Sequence, residues 1–362
     1  MYHIHMKQHA IIPVFIPHRG CPNDCVFCNQ KAITARQSDV TPEDVRNLIE
    51  SYLPTLTGRG LKTIEIAFFG GSFTGIPIED QSAFLAVAKE YKEKGLIDKI
   101  HMSTRPDYIN RKILENLKMY DADIIELGVQ SFDSRVLEAS NRGHRVEDVY
   151  RACGLIKEYG FELGIQLMIG LPEDSPEKCI YSAQETVKIG PALARLYPTI
   201  VLNNTKLYDM YKAGIYRPLT SKQALDTTKK MYKIFDGAGI NILRVGLKST
   251  DLISEGGEIN GQTYHPAFRQ LVEGEIAKES LESQLLALMT KHKIKHSLCK
   301  PCEDSEKLRV EFASSGNSFS NMIGNAKRNK IYFKEKYPGI EIYYKVSNNI
   351  KDKTYIVREH KN

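Results

Sequence analysis

LKTIEIAFF (Leu61–Phe69), running straight into Gly70-Gly71-Ser72-Phe73-Thr74, is the stretch on which the fold turns. Rich in Ile and Phe, it reads as a buried strand, and the paired glycines mark its end. Outward from it, IIPVFI (Ile11–Ile16) is an earlier strand, and Ile78–Glu93 is a helix carrying Phe84, Val87, Ala88 and Tyr91 at helical spacing. Thr41-Pro42-Glu43-Asp44 opens a helix between them, with Thr41 as N-cap and Pro42 in the first turn. Further strands are expected at Ile100–Thr104, Ile124–Gln130, Leu163–Ile169, Arg195–Leu202 and Ile240–Val245. Helices at Ile109–Met119, Val146–Tyr159, Pro176–Ile189 and Thr220–Phe235 alternate with them. Short buried strands separated by helices predict an α/β fold with a parallel sheet. Cys21–Cys28, Gly70–Thr74, Arg105–Asp107, Gln130–Phe132 and Gly170–Pro172 all follow the C-terminal ends of these strands. Barrel enzymes place their chemistry there, so a partial (β/α) TIM-type barrel of about six units is expected.

The chain has 362 residues, enough for about two domains. Residues 249–262 (STDLISEGGEINGQ) turn rich in Gly and Glu and suggest a boundary, giving a core over 1–255 and a small α/β C-terminal domain over 256–362. Helices are expected there over Pro266–His292 and Phe319–Lys334. With 42% hydrophobic and 26% charged residues the composition excludes disorder, collagen and fibre. No run approaches the ~18 apolar residues of a membrane helix. MYHIHMKQHA lacks the apolar segment of a signal peptide, so a cytoplasmic protein without membrane partners is expected. Its seven cysteines should then be thiols or metal ligands. Net charge is +6, and from Leu285 onward 16 Lys/Arg face 8 Asp/Glu. A basic tail can attract RNA, but Lys334-Glu335-Lys336 and Lys351-Asp352-Lys353 mix signs and favour a solvated surface.

Cys21-Pro-Asn-Asp-Cys25-Val-Phe-Cys28 is the strongest chemical signal. Three thiolates within eight residues point to one metal centre rather than disulfides. His18 can complete a Cys3His zinc site. Three thiolates on a four-iron cluster instead leave one iron open. Spacing leaves both readings standing.

A Cys-x3-Cys-x-aromatic-Cys loop after the first strand, with Phe27 as the aromatic, and then Gly70-Gly71-Ser72 after the next, resembles the radical S-adenosylmethionine (SAM) superfamily. Ser103-Thr-Arg-Pro-Asp107, Glu126-Leu-Gly-Val-Gln-Ser131, Asn141-Arg-Gly-His144, Gly170-Leu-Pro172 and Arg244-Val-Gly-Leu247 resemble the branch of the Elongator catalytic subunit and oxygen-independent coproporphyrinogen dehydrogenase. The likeness covers about Ile12 to Gln270. It implies a [4Fe–4S] cluster on Cys21, Cys25 and Cys28, with SAM chelated to the fourth iron. Gly70, Gly71 and Ser72 are then expected at the methionine amino group. Gln130 and Arg142 are expected to face SAM, Gln166 the ribose, and Phe27 the adenine. Implied partners are an external one-electron donor such as flavodoxin or ferredoxin, and tRNA as substrate. The chain has no recognisable acetyltransferase domain, so acetyl transfer is not implied. Porphyrinogen oxidation and a non-catalytic zinc-binding RNA module are the alternatives.

Other signals are weaker. Arg105-Pro106-Asp107 reads equally as a helix cap through Asp107 and as a substrate contact. Cys299-Lys-Pro-Cys302, near His292 and His296, is a pair without assigned function, and Cys153 and Cys179 are core filler or unassigned. Tyr197–Thr199, Asn203–Thr205 and His265 are candidates for the substrate side.

Overall fold

The structure is a computed structural model, and it describes residues 9–16, 21, 25–29, 40–247, 259–291 and 308–360. His18, His292, His296, Cys299 and Cys302 lie outside the described residues. The chain divides into two units, Met1–Pro266 and Ala267–Asn362.

In the first unit, seven strands form one parallel sheet. They are β1 (His9–Ile16), β2 (Thr63–Gly70), β3 (Lys99–Thr104), β4 (Ile124–Gln130), β5 (Glu162–Ile169), β6 (Leu193–Pro198) and, last in sheet order, the strand Asn241–Val245. Sheet order follows chain order, so each crossover joins neighbours, as in a partial barrel. The crossovers carry helices α1 (Pro42–Leu56), α2 (Ile78–Glu93), α3 (Arg111–Met119), α4 (Ser134–Ala139), α5 (Val146–Glu158) and α6 (Pro176–Ile189). Thr41 caps α1 as its sequence demands: its hydroxyl accepts from Asp44 N at 3.2 Å and Asp44 returns a bond to Thr41 N. Ile66, Ile100, Ile125, Leu127, Ile165 and Leu196 are fully buried, the expectation for strands covered on both faces.

The differences from the sequence reading have local causes. The strand expected over Arg195–Leu202 stops at Pro198 and resumes only as β7 (Val201–Leu202), which pairs antiparallel with Ile259–Asn260. Pro198 has no N–H to continue a ladder. The helix expected from Ile109 starts at Arg111, because Asn110 is its N-cap and accepts from Ile113 N at 3.0 Å. Helices α4 and α7 (Lys206–Lys212) were not anticipated; both are short and begin on a capping Asp133 or Thr205.

Beyond α8 (Ser221–Gly237), the second unit packs α9 (Phe268–Lys291) on a three-stranded sheet of Leu308–Ser314, Ile340–Val346 and Tyr355–Glu359. The single helix expected over Phe319–Lys334 is broken into α10 (Phe319–Ile323) and α11 (Arg328–Lys336). Gly324, with φ +79°, makes the break, and a Cβ there would meet Asn329 at 2.8 Å. Asn329 is buried and donates to Gly274 O at 2.8 Å and Asn321 O at 3.1 Å, which locks the two helices to α9.

Charged side chains run through the strands of the first unit. Glu65 accepts from His101 at 2.6 Å and from His9 at 3.0 Å, while Glu126 faces Arg195 at 2.6 Å. Arg195 also covers the Phe69 ring at 4.7 Å. Burial raises the Glu65 pKa, but the hydrogen bonds from His101 and His9 outweigh it and hold the carboxyl at about 2. A folded-state pKa below the unfolded value of ~4.3 stabilises above that pH and is lost as pH falls toward the folded value. The stability gap between the wild type and Glu65→Gln, measured by urea unfolding, should therefore narrow from pH 4.3 downward. A gap independent of pH would contradict this account.

Candidate functional site

The C-terminal ends of β1, β2, β4 and β5 bring the candidate residues together. Gly70 closes β2 beside Ile16, with φ +104°, and a Cβ there would stand 2.6 Å from Ile16 O. Only glycine fits. Gly71 N donates back to Ile16 O at 2.9 Å, which draws the ends of β1 and β2 together. Ser72 is buried; its hydroxyl pairs with Thr104 Oγ1 at 2.8 Å and accepts from Arg105 N at 3.1 Å. Thr74 joins the same Thr104 hydroxyl at 2.6 Å, so the Gly-Gly-Ser loop is fixed to the end of β3.

At β4 the register shifts between Gly128 and Gln130, and Gln130 takes φ +71°. Such a bulge re-aims a side chain at a strand end. Gln130 Oε1 accepts from Gln166 Nε2 of β5 at 3.1 Å. Arg142 is buried, and its guanidinium spans two groups: Nη2 donates to Gly128 O at 2.5 Å and Nη1 to Cys25 Sγ at 3.3 Å. A Cβ on Gly128 would meet Gln130 Nε2 at 2.9 Å and Arg142 Nη2 at 3.4 Å. Gly128 is thus what lets both side chains converge.

The cysteine loop is held at Val26, whose N–H donates to Ser140 O at 3.2 Å and whose carbonyl accepts from Leu207 N at 2.7 Å. Cys28 N closes a turn on Cys25 O at 3.0 Å. Val26 and Phe27 pack with Val201, Leu207 and Tyr216. Phe27 therefore lies on the apolar side of the loop. Cys25 is buried, and Cys21 and Cys28 are half-buried. Among the described residues, no three His, Cys, Asp or Glu side chains stand as a metal-holding group.

Two arginines and a histidine surround these thiols. Arg105 is buried and held in a bidentate pair by Asp107 at 3.0 and 2.9 Å, while its Nη1 is buried without a hydrogen-bond partner. Asp107 is therefore a clamp on Arg105, not a helix cap. Burial raises the Cys21 pKa, opposed by the charges of Arg105 and Arg142. His144 is pushed down to about 3, first by burial and then by the same two guanidiniums, so it is a neutral imidazole among fixed cations. Asp107 matches the charge of Arg105, whereas Arg142 reaches a thiol sulfur and a backbone carbonyl. An orphaned buried guanidinium N–H beside a three-thiol loop fits an anionic metal–sulfur group. Thr104, Gly128 and His144 fall inside motifs read from the sequence but were given no role there; of these Gly128, inside a strand, carried a local signal of close approach.

The pattern of the Radical SAM superfamily matches residues 15–184, and that of the Radical_SAM C-terminal domain matches residues 191–278. The chain belongs to the radical SAM superfamily. It is similar to a tRNA uridine(34) acetyltransferase from Methanocaldococcus jannaschii, 27% identical over 259 residues, covering 60% of this chain and 47% of that protein. It is also similar to Elongator complex protein 3 from Dictyostelium discoideum, 27% identical over 61% of this chain and 47% of that protein. The chain spans about half the length of these curated relatives. Among solved structures, an archaeal Elp3 from Methanocaldococcus infernus matches 80% of this chain and 64% of its own with a TM-score of 0.57 and 22% identity, a likeness of fold. As a radical SAM enzyme the chain is related to tRNA-modifying proteins, and its superfamily implies a [4Fe–4S] cluster and SAM. Among the described residues, no helix is long and apolar enough to cross a membrane.

Nearby charge and hydrogen bonding set the potential of thiolate-bound iron. Arg105→Gln is expected to lower the midpoint potential of the reconstituted cluster, read by anaerobic redox titration. An unchanged potential would contradict a place for Arg105 beside the cysteines.

Proposed function

We propose that Cys21, Cys25 and Cys28 hold a [4Fe–4S] cluster whose open iron binds SAM, and that the enzyme abstracts hydrogen from a base of tRNA. The observation that carries this reading is the chain of contacts Cys25–Arg142–Gly128 beside Gln130–Gln166, joining the cysteine loop to the ends of β4 and β5. When bound, the cluster and SAM supply a reducing electron and the 5′-deoxyadenosyl radical it releases.

The protein's share is binding, orientation and exclusion. Arg142, already turned toward Cys25, offers a guanidinium to the SAM carboxylate. Gly70, Gly71 and Ser72 present backbone to the methionine amino group, and the bond from Ser72 to Thr104 keeps that loop from collapsing inward. Gln130 and Gln166 act as one amide pair facing SAM and its ribose. Phe27 offers an apolar edge to the adenine. The buried ring of Thr74, Thr104 and Arg105 closes one flank against water. Residues 1–255 carry this chemistry, 256–362 form an accessory domain, and an external donor such as flavodoxin or ferredoxin delivers the electron. The tRNA assignment is supported by the names of the relatives, whose acetyl transfer is not assigned to this chain.

Cys25→Ala is expected to abolish both cluster loading and reductive SAM cleavage, since one iron loses its thiolate. Iron and sulfide analysis with chromatographic detection of 5′-deoxyadenosine reads both. A variant that keeps a full cluster, or that still releases 5′-deoxyadenosine, would overturn the assignment.

A further inference from the structure

The second unit pairs many of its cations. Arg269 meets Glu273, Lys278 meets Glu275, Arg309 meets Glu341, Lys336 meets Glu282, and both Lys345 and Arg358 meet Glu311. Helix α11, apart from Lys336 at its end, breaks the habit. Lys327 at its N-cap and Arg328, Lys330 and Lys334 on the helix are all exposed, and none has a carboxylate partner among the described residues. Lys330 lies over the Tyr344 ring, at 5.6 Å.

Their spacing is ordered. Lys327 stands immediately before the first residue of the helix with φ +63°, and Lys330 and Lys334 stand at i and i+4, which puts their Cβ atoms roughly 5–6 Å apart on one face. That separation is comparable to the distance between successive phosphates of a nucleic-acid strand. Ile331, 49% exposed, lies between them, and Glu335 is the one acidic side chain on this face. The helix's apolar side is already spent: Phe333 is fully buried in the unit's core with Val310, Phe312 and Met322. A membrane-surface helix needs a broad apolar face turned outward, and only Ile331 is available here. Four unneutralised charges in a row raise self-repulsion, a cost that an anionic partner reverses.

We infer that the outer face of α11 is an RNA-docking surface that grips the phosphate backbone through Lys327, Lys330 and Lys334, with Arg328 at its edge. The inference rests on the tRNA reading above and goes beyond it by naming a surface outside the cluster site. Contacts of this kind fix position and strengthen binding without reading sequence.

The test uses the full chain, cluster-loaded and kept anaerobic, with fluorescently labelled tRNA in an anisotropy titration across salt concentrations. The variant K327Q/K330Q/K334Q should bind at least tenfold more weakly at low salt. Its slope of log affinity against log salt should fall by about one for each lysine removed. SAM cleavage in the absence of RNA should be unchanged, because none of these residues is assigned to the cluster site. Equal affinity and equal slope for variant and wild type would overturn the surface while leaving the tRNA reading intact. Failure of the wild type to bind tRNA would overturn both. Tighter binding of the wild type to vesicles of anionic lipid than to tRNA would also overturn the inference, assigning the helix to a membrane surface.

Discussion

The Arg142 guanidinium, reaching Cys25 Sγ with one nitrogen and Gly128 O with another, is the contact on which the candidate site depends. It ties a loop that leaves β1 to the bulge that ends β4, across three intervening crossovers. A buried guanidinium is tolerated only with partners on its donors. Here the carbonyl is one and a sulfur the other. The same constraint explains Gly128, since any side chain there would enter the space that Arg142 and Gln130 occupy.

Arg105 obeys the constraint differently. Asp107 satisfies two of its nitrogens and leaves Nη1 buried and unmatched. His144 stays neutral beside both arginines. The result is two guanidinium groups fixed around the thiols, one of them paired with Asp107. A thiolate-bound iron–sulfur cluster is anionic, and the carboxylate end of SAM can also accept from guanidinium N–H groups.

Much of the fold was legible because short apolar strands alternate with helices in chain order, and sheet order repeats that sequence without a switch. The Cys loop, Gly70-Gly71 and Gln130 could be read because each falls where a strand stops. What escaped was tertiary. Nothing in LKTIEIAFF says that Glu65 will find His101 on the next strand, nor that Glu126 and Arg195 will meet across β5. The break at Gly324 was hidden in the same way: a glycine inside a helical pattern is tolerated until Asn329 claims its space. Arg105-Pro106-Asp107 offered two roles locally, and the Asp107 pair with Arg105 removes the helix-cap one.

The electron spin resonance spectrum of the anaerobically reduced protein, recorded with and without SAM, tests the central claim most directly. The account predicts a reduced [4Fe–4S] signal that changes shape when SAM is added, because the open iron gains ligands. A protein that loads no iron, or a cluster signal indifferent to SAM, would contradict it.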